Sequence, residues 1–431
     1  MRTVSRVILM DKKTGRKKYV VLLWCLCFSL HLAAQNHSAV VTTDINNFWE
    51  TYDSIRTTND SAQQRAYLDR LFITKGTPGL QAMMKARRYT PQEYIDAINK
   101  SPEFWTSLRK NTSRAGALAA DIETGTDQLR SIYPELKPAT TYFTMGVFRS
   151  GGTTAGDKIL IGSEIIFADE KKMNSLKFTA VHELVHTQQK TTETGQLLAQ
   201  SVMEGVAEFL AVMATGTPSA APAIGYGKRN EERVKKVFAS QMFSSYYSFW
   251  LYSDATNEFD TRDLGYYVGY AIAEKYYEKA KDKKQAIREM IELDYSNSVS
   301  LAAYVDASGY FSQPVAAYAK IFEKKRPGVI SLEPFKNGNR KVSPGITRIT
   351  ITFSTAMHNQ FRNFELGPLG KEHLARIKNV IGFSEDGRSI SLELEALQPN
   401  KKYQLVIGSG FRDQDLRPLH PYLIDFTTGR K

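Results

Sequence analysis

The sequence predicts an α+β protein: a mainly helical domain with a small β-sheet, followed by an all-β module of sandwich size. Three observations carry this. Helical periodicity dominates residues 46–318, interrupted by two neighbouring strand-like segments. After Lys324-Lys325-Arg326-Pro327-Gly328 the pattern changes to period two. The 431 residues, 42% hydrophobic and 24% charged, have ordinary globular composition and exceed one typical domain. Disordered, collagen-like and disulfide-stapled chains are excluded.

The net charge of +12 invites a nucleic-acid reading, but its location argues otherwise. Arg2, Arg6, Lys12, Lys13, Arg16, Lys17 and Lys18 face only Asp11, so half of the net charge lies before residue 35. An uncharged, mainly apolar run, Tyr19–Ala34, follows and closes on Leu32-Ala33-Ala34. That order predicts a secretory signal peptide over 1–34, with Met10 as an alternative start. The run is short for a membrane span, so no stable transmembrane segment is expected after cleavage. Cys25 and Cys27 would leave with it, and neither follows the small residue that lipid attachment requires. The mature chain is therefore expected to be cysteine-free and extracytoplasmic, in the periplasm, on the surface or secreted. The basic runs Lys281–Lys284 and Lys324–Arg326 are short and read as solvated faces or linkers, so no nucleic-acid partner is expected.

The mature chain opens with helices. Phe48 and Tyr52 share a face, and Thr90-Pro91-Gln92-Glu93 starts a helix with a cap and a proline at its first position. The segment 141–148 reads as a strand, a glycine-rich turn Ser150–Gly156 follows, and Lys158–Gly162 reads as its hairpin partner. The turn is not a phosphate loop, because Gly156 is followed by Asp157-Lys158-Ile159. Helical pattern returns over 176–318, placing a domain over 35–328. Beyond it, Arg348–Phe353 and Ser389–Leu394 alternate as half-buried strands, and 403–407 and 423–426 add two more.

The 329–431 segment resembles a bacterial immunoglobulin-like domain. The resemblance rests on Ile349-Thr350-Ile351-Thr352-Phe353-Ser354 with Met357, Leu397-Gln398-Pro399-Asn400 with Tyr403, and Phe426-Thr427-Thr428. Its histidines, His358, His373 and His420, follow no metal-site spacing.

The chemistry-bearing motif is His182-Glu183-Leu184-Val185-His186. On a helix, residues four apart share a face, so both imidazoles can reach one ion. Zinc suits neutral imidazole and tolerates two ligands from adjacent turns, while Glu183 is placed to reach a water on that ion. The longer signature with a third histidine fails, since Gln189 and Thr192 occupy its glycine and histidine positions. Downstream, the apolar 197–213 stretch carries only two charges, Glu204 and Glu208, again four apart. A buried carboxylate needs a partner, and a metal ion supplies one.

This region is similar to the gluzincins, zinc metallopeptidases held by two histidines and a glutamate. The resemblance implies that Glu204, in Glu204-Gly205-Val206-Ala207, is the third ligand, 18 residues after His186, slightly short of the usual spacing. It also implies that Glu208 orients one of the histidines; Glu208 as the ligand is the alternative. The wider 46–318 region resembles secreted bacterial proteins known only as predicted zinc-dependent proteases, through the glycine loop, His182–Gln189 and Asp263–Tyr270. The resemblance implies a tyrosine or histidine that steadies the oxyanion. No histidine lies between His186 and His358, so Tyr266 or Tyr267 is the expected donor. An extended peptide or protein substrate is expected to pair with the Met145–Phe148 or Ile159–Ile161 strand. The expected function is an exported zinc metallopeptidase. The competing reading is an exported binding or envelope-scaffold protein with a structural or inactive zinc site. Nothing in the sequence indicates the oligomeric state.

Overall fold

The computed structural model describes residues 39–190, 195–254 and 257–430, so the signal segment expected over 1–34 lies outside the described residues. Helices fill most of 43–132. Their ends follow local chemistry. Thr90 and Glu93 form a reciprocal capping box in front of Pro91–Lys100. Thr77 caps Pro78–Arg87, and its N–H and hydroxyl both donate to the buried Asp44, which ties this helix to the first one, Thr43–Ile55.

The small sheet contains β1 (Val40–Val41), β2 (Thr140–Thr144), β3 (Gly152–Ala155) and β4 (Lys158–Gly162), in the order β1-β2-β4-β3. This corrects the expected hairpin between 141–148 and 158–162, because β2 and β4 pair parallel. The reason is a crossing within the glycine-rich segment. Glu164, fully buried, accepts the N–H groups of Gly146 and Phe148, which draws them away from strand pairing, and Phe148 turns at φ 67°. The chain then passes Gly162, where any Cβ would strike the Ser150 carbonyl oxygen at 1.8 Å. It returns as β3 on the outer side of β4. The true hairpin is β3–β4, turning at Gly156 with φ 62°.

Beneath the sheet lies the motif helix Leu176–Gln188, packed next to Leu197–Thr215. The latter is apolar and long enough to cross a membrane by composition, but it is the core helix of this region, largely buried. It meets Leu264–Lys279 backbone to backbone: a Cβ on Gly205 would lie 2.0 Å from the Gly269 carbonyl carbon. The glycine after Glu204 is thus required by packing.

The C-terminal region is all-antiparallel. β5 (Val329–Glu333), β6 (Arg348–Phe353), β8 (Ile377–Phe383) and β9 (Ser389–Leu394) form one sheet in the order β5-β6-β9-β8. β7 (Phe364–Glu365), β10 (Lys402–Ile407) and β11 (Tyr422–Thr427) form the other, in the order β11-β10-β7. Ile349, Ile351, Phe353, Ile390 and Leu392 face Leu405, Ile407, Ile424 and Phe426 across a separate apolar core. Arg412 bridges to the helical part, donating to Ser245 Oγ at 2.8 Å beside the rings of Tyr246 and Phe361.

Candidate metal centre

Three side chains from two helices converge. His182 and His186, one turn apart, bring their Nε2 atoms to 3.0 Å. From Leu197–Thr215, Glu204 Oε2 lies 3.1 Å from His186 Nε2 and 3.4 Å from His182 Nε2. All three residues are buried. A tetrahedral zinc site with bonds of about 2.0–2.1 Å has ligand–ligand edges of about 3.3–3.4 Å. The observed spacings fall close to that, and two imidazoles with one carboxylate form a donor set suited to zinc. The residues fit the ion.

The opposite ring nitrogens each face a side-chain oxygen. Glu208 Oε2 lies 2.9 Å from His182 Nδ1, and its other oxygen accepts from Ser219 Oγ. The structure thus places Glu204 with the Nε2 pair and Glu208 on the far side of the ring. Gln189 Oε1 lies 2.7 Å from His186 Nδ1, and its amide nitrogen donates to the Met203 carbonyl and to Tyr295 Oη, both at 3.0 Å. An amide oxygen can only accept, so Nδ1 carries the proton and Nε2 keeps its lone pair for the cluster. Sequence reasoning saw in Gln189 only a missing glycine. Its position three residues after His186, on the same helical face, was the available signal.

The electrostatics match a cation site. Burial alone would lower the histidines, but the Glu204 and Glu208 carboxylates outweigh it and hold His182 well above its usual range; Glu204 raises His186 in the same way. Burial alone would raise Glu204, but the two imidazoles hold it well below the usual carboxylate range.

Glu183 leaves the same helix toward the sheet. A Cβ on Gly152 would lie 2.9 Å from its Oε1, so the first residue of β3 borders this carboxylate. Burial raises the Glu183 carboxyl, against the pull of His186, His182 and Arg87. A carboxylate whose basicity burial has raised is a better proton acceptor than an ordinary one.

The two expected tyrosines separate. Tyr266 lies nearly parallel to the His182 ring, with centroids 6.2 Å apart and 22° between planes. Tyr267 points elsewhere: it packs against Gly227, and its hydroxyl donates to Glu231 Oε2 at 3.0 Å. Adjacent residues on a helix face directions about 100° apart, so only one of them could reach the cluster. A further phenol was not foreseen. Tyr252 Oη donates to Glu204 Oε1 at 2.5 Å, and Tyr252 is held at φ 62° by the Asp263 carboxylate on its N–H, although the residue is 48% exposed. It belongs to an aperiodic loop, and nothing in the sequence sets it apart from the other tyrosines among 22.

Nor does the expected substrate edge survive. Ile159–Ile161 lies in β4, which already has two neighbours, and Met145–Phe148 lies beyond the end of β2, with the N–H groups of Gly146 and Phe148 bound by Glu164 and the Met145 carbonyl by Tyr94 Oη; the edge beside Glu183 is β3.

Comparison with known proteins agrees with this geometry. Residues 138–298 match the family described as "Predicted Zn-dependent protease (DUF2268)", and residues 323–428 match the bacterial Ig-like domain. No curated protein is significantly similar to the chain. Among solved structures, the N-terminal part of the bacterial S-layer protein SbsC is 15% identical over 89% of this chain and 69% of that one, with a TM-score of 0.18. Domains 1–6 of surface layer protein SbsC are 13% identical over 90% of this chain and 40% of that one, with a TM-score of 0.19. Superpositions this poor carry no argument about fold or role.

Proposed function

We propose that the chain is an exported zinc metallopeptidase of the gluzincin kind, with His182, His186 and Glu204 as metal ligands and Glu183 as general base. The observation that carries this is the convergence of three buried donors at tetrahedral spacing, with Glu183 leaving the same helix toward an unpaired strand edge. The family match over 138–298 supports the protease class. The Ig-like match and the charged, apolar, small-residue order of the N-terminus support export.

A zinc ion at this site supplies Lewis acidity and a water acidic enough to ionise near neutral pH. The protein supplies the rest. Glu183 takes the proton of the attacking water and returns it to the leaving amine. Backbone groups of β3 pair with an extended substrate. Tyr266, whose ring lies over His182, and Tyr252, whose hydroxyl donates to Glu204, are the phenols assigned to the developing oxyanion. Glu208 and Gln189 hold the two rings in register.

The test is zinc content and hydrolysis of a mixed peptide library, for wild type and Glu183→Gln. Wild type is expected to carry one zinc and to cut peptides. Glu183→Gln is expected to keep the zinc and lose roughly 10²- to 10⁴-fold in rate. A wild type that binds zinc and cuts nothing would transfer the argument to a binding or scaffold role. Undiminished hydrolysis in Glu183→Gln would refute the assigned base.

A further inference from the structure

The loop 244–252 touches the sandwich at one end and the metal centre at the other. At the sandwich end, Arg412 Nη2 donates to Ser245 Oγ at 2.8 Å, and Nη1 reaches Ser244 Oγ at 3.3 Å. The guanidinium carbon lies 5.6 Å from the centre of the Tyr246 ring and 5.8 Å from that of Phe361. These two rings meet edge to face with centroids 4.9 Å apart. At the other end the Tyr252 hydroxyl donates to Glu204.

Between its ends the loop has little freedom. The N–H groups of Trp250 and Leu251 both donate to the Tyr247 carbonyl, and both side chains are buried. The Trp250 indole N–H donates to Gln241 Oε1 at 2.7 Å. The Ser244 carbonyl accepts the N–H of Leu197, the first residue of the helix that carries Glu204. The Trp250 carbonyl accepts the N–H of Gly265, in the helix that carries Tyr266. A shift at Tyr246 is therefore carried to Tyr252 rather than absorbed. Tyr252 sits at φ 62°, which a tyrosine adopts only where its surroundings impose it. Arg412 depends on the loop in turn. Among the described residues no carboxylate pairs with this buried guanidinium; its partners are the two serine hydroxyls, the two rings and the Leu416 carbonyl. A buried cation keeps its place only while such partners stay.

We infer that Arg412, on the sandwich, is a positioning residue for the metal centre: it anchors the loop 244–252 and through it holds the Tyr252 hydroxyl at Glu204. The inference rests on the peptidase reading and adds the Ig-like module to the working parts of that site. A loop that carries a functional side chain needs a rigid scaffold, and here the scaffold is shared between the two regions.

Full-length Arg412→Ala, Tyr252→Phe and the double variant test this. Hydrogen exchange on the metal-free chain reads the loop directly. In Arg412→Ala the amides of Leu197, Tyr252 and Gly265 should exchange roughly 10-fold faster, while β10 amides report that the sandwich stays folded. With zinc bound, kcat on a cleaved peptide should fall roughly 10-fold with KM little changed, less than the roughly 10²- to 10³-fold that follows outright loss of an oxyanion donor. The double variant should be no slower than Tyr252→Phe alone, because Arg412 acts through that hydroxyl. Arg412→Lys, which keeps a cation beside both rings, should recover part of the loss. Tyr246→Leu cuts the same joint from the helical side and should reproduce it with the sandwich untouched, so a misfolded Arg412→Ala leaves the test intact. Unchanged exchange at those amides, or rate losses that multiply in the double variant, overturns the inference. Cleavage by wild type is scored separately: no cleavage counts against the peptidase, whereas the amides judge Arg412 without turnover.

Discussion

The two cores bury different things. The sandwich core is built from aliphatic and aromatic side chains, and its buried charges, Arg412 and Asp413, sit in one loop with partners at hand: Ser245 for Arg412 and Arg417 for Asp413. The helical core holds His182, His186, Glu204, Glu208 and Glu164 among its apolar residues. Burying an ionisable group costs several kcal/mol unless it is fully partnered. The sandwich meets that condition with ordinary partners, from its own loop and from Ser244 and Ser245 of the helical region. The helical region does not, because two imidazole nitrogens 3.0 Å apart converge with a carboxylate on a single point. Stability alone would favour apolar residues there, so the difference marks where function has shaped the interior.

Metal removal tests this contrast most strongly. A ligand at a thousandfold excess over its Kd stabilises the native state by about 4 kcal/mol. Chelation should therefore lower the stability of the helical region by that order and leave the sandwich unchanged. Hydrogen exchange can read both at once, from amides of Leu197–Thr215 and of β10. Equal losses in the two regions, or none, would break the comparison.

Glu164 gives the next largest effect and has its own pH window. Burial pushes its carboxyl up to about 7, despite the N–H groups of Gly146 and Phe148 that favour the charged form. The folded state therefore holds its proton where the unfolded state, near 4.5, has lost it. The stabilisation is complete below pH about 4.5 and is lost as pH rises through about 7, a change of about 3 kcal/mol. Unfolding measured at pH 5 and pH 8 should show this fall in wild type and a flatter profile in Glu164→Gln. The same slope in both chains would show that Glu164 is not its source.

These contrasts explain what was legible in advance. Spacing placed His182, Glu183 and His186 on one helix, because a period of 3.6 residues is a local property. The strands 348–353 and 389–394 were legible for a similar reason, since every second residue enters the sandwich core. β8 was not, because register shifts at Asn379 and Gly382 break its alternation. The course of β2, β3 and β4 was hidden because it depends on Glu164, a residue after the strands that accepts hydrogen bonds from the segment between β2 and β3. Tyr252 escaped notice because it reaches the centre from a loop with no motif of its own.

Gln189 offers the smallest effect and the sharpest separation of ligand from support. Gln189→Leu keeps a side chain of similar length but removes the amide oxygen 2.7 Å from His186 Nδ1. The ring then loses what fixes its tautomer, while all three proposed ligands remain. Zinc affinity should fall roughly 10- to 100-fold, equivalent to about 1.4–2.7 kcal/mol. Competition with a chelator of known affinity measures this directly. Gln189→Glu, which retains an acceptor at the same reach, should recover most of the loss. A purely packing role would give the opposite order, because leucine fills the space while glutamate places a charge among buried groups. Zinc affinity unchanged in Gln189→Leu would mean that the helical core, like the sandwich, holds this polar group for structure alone.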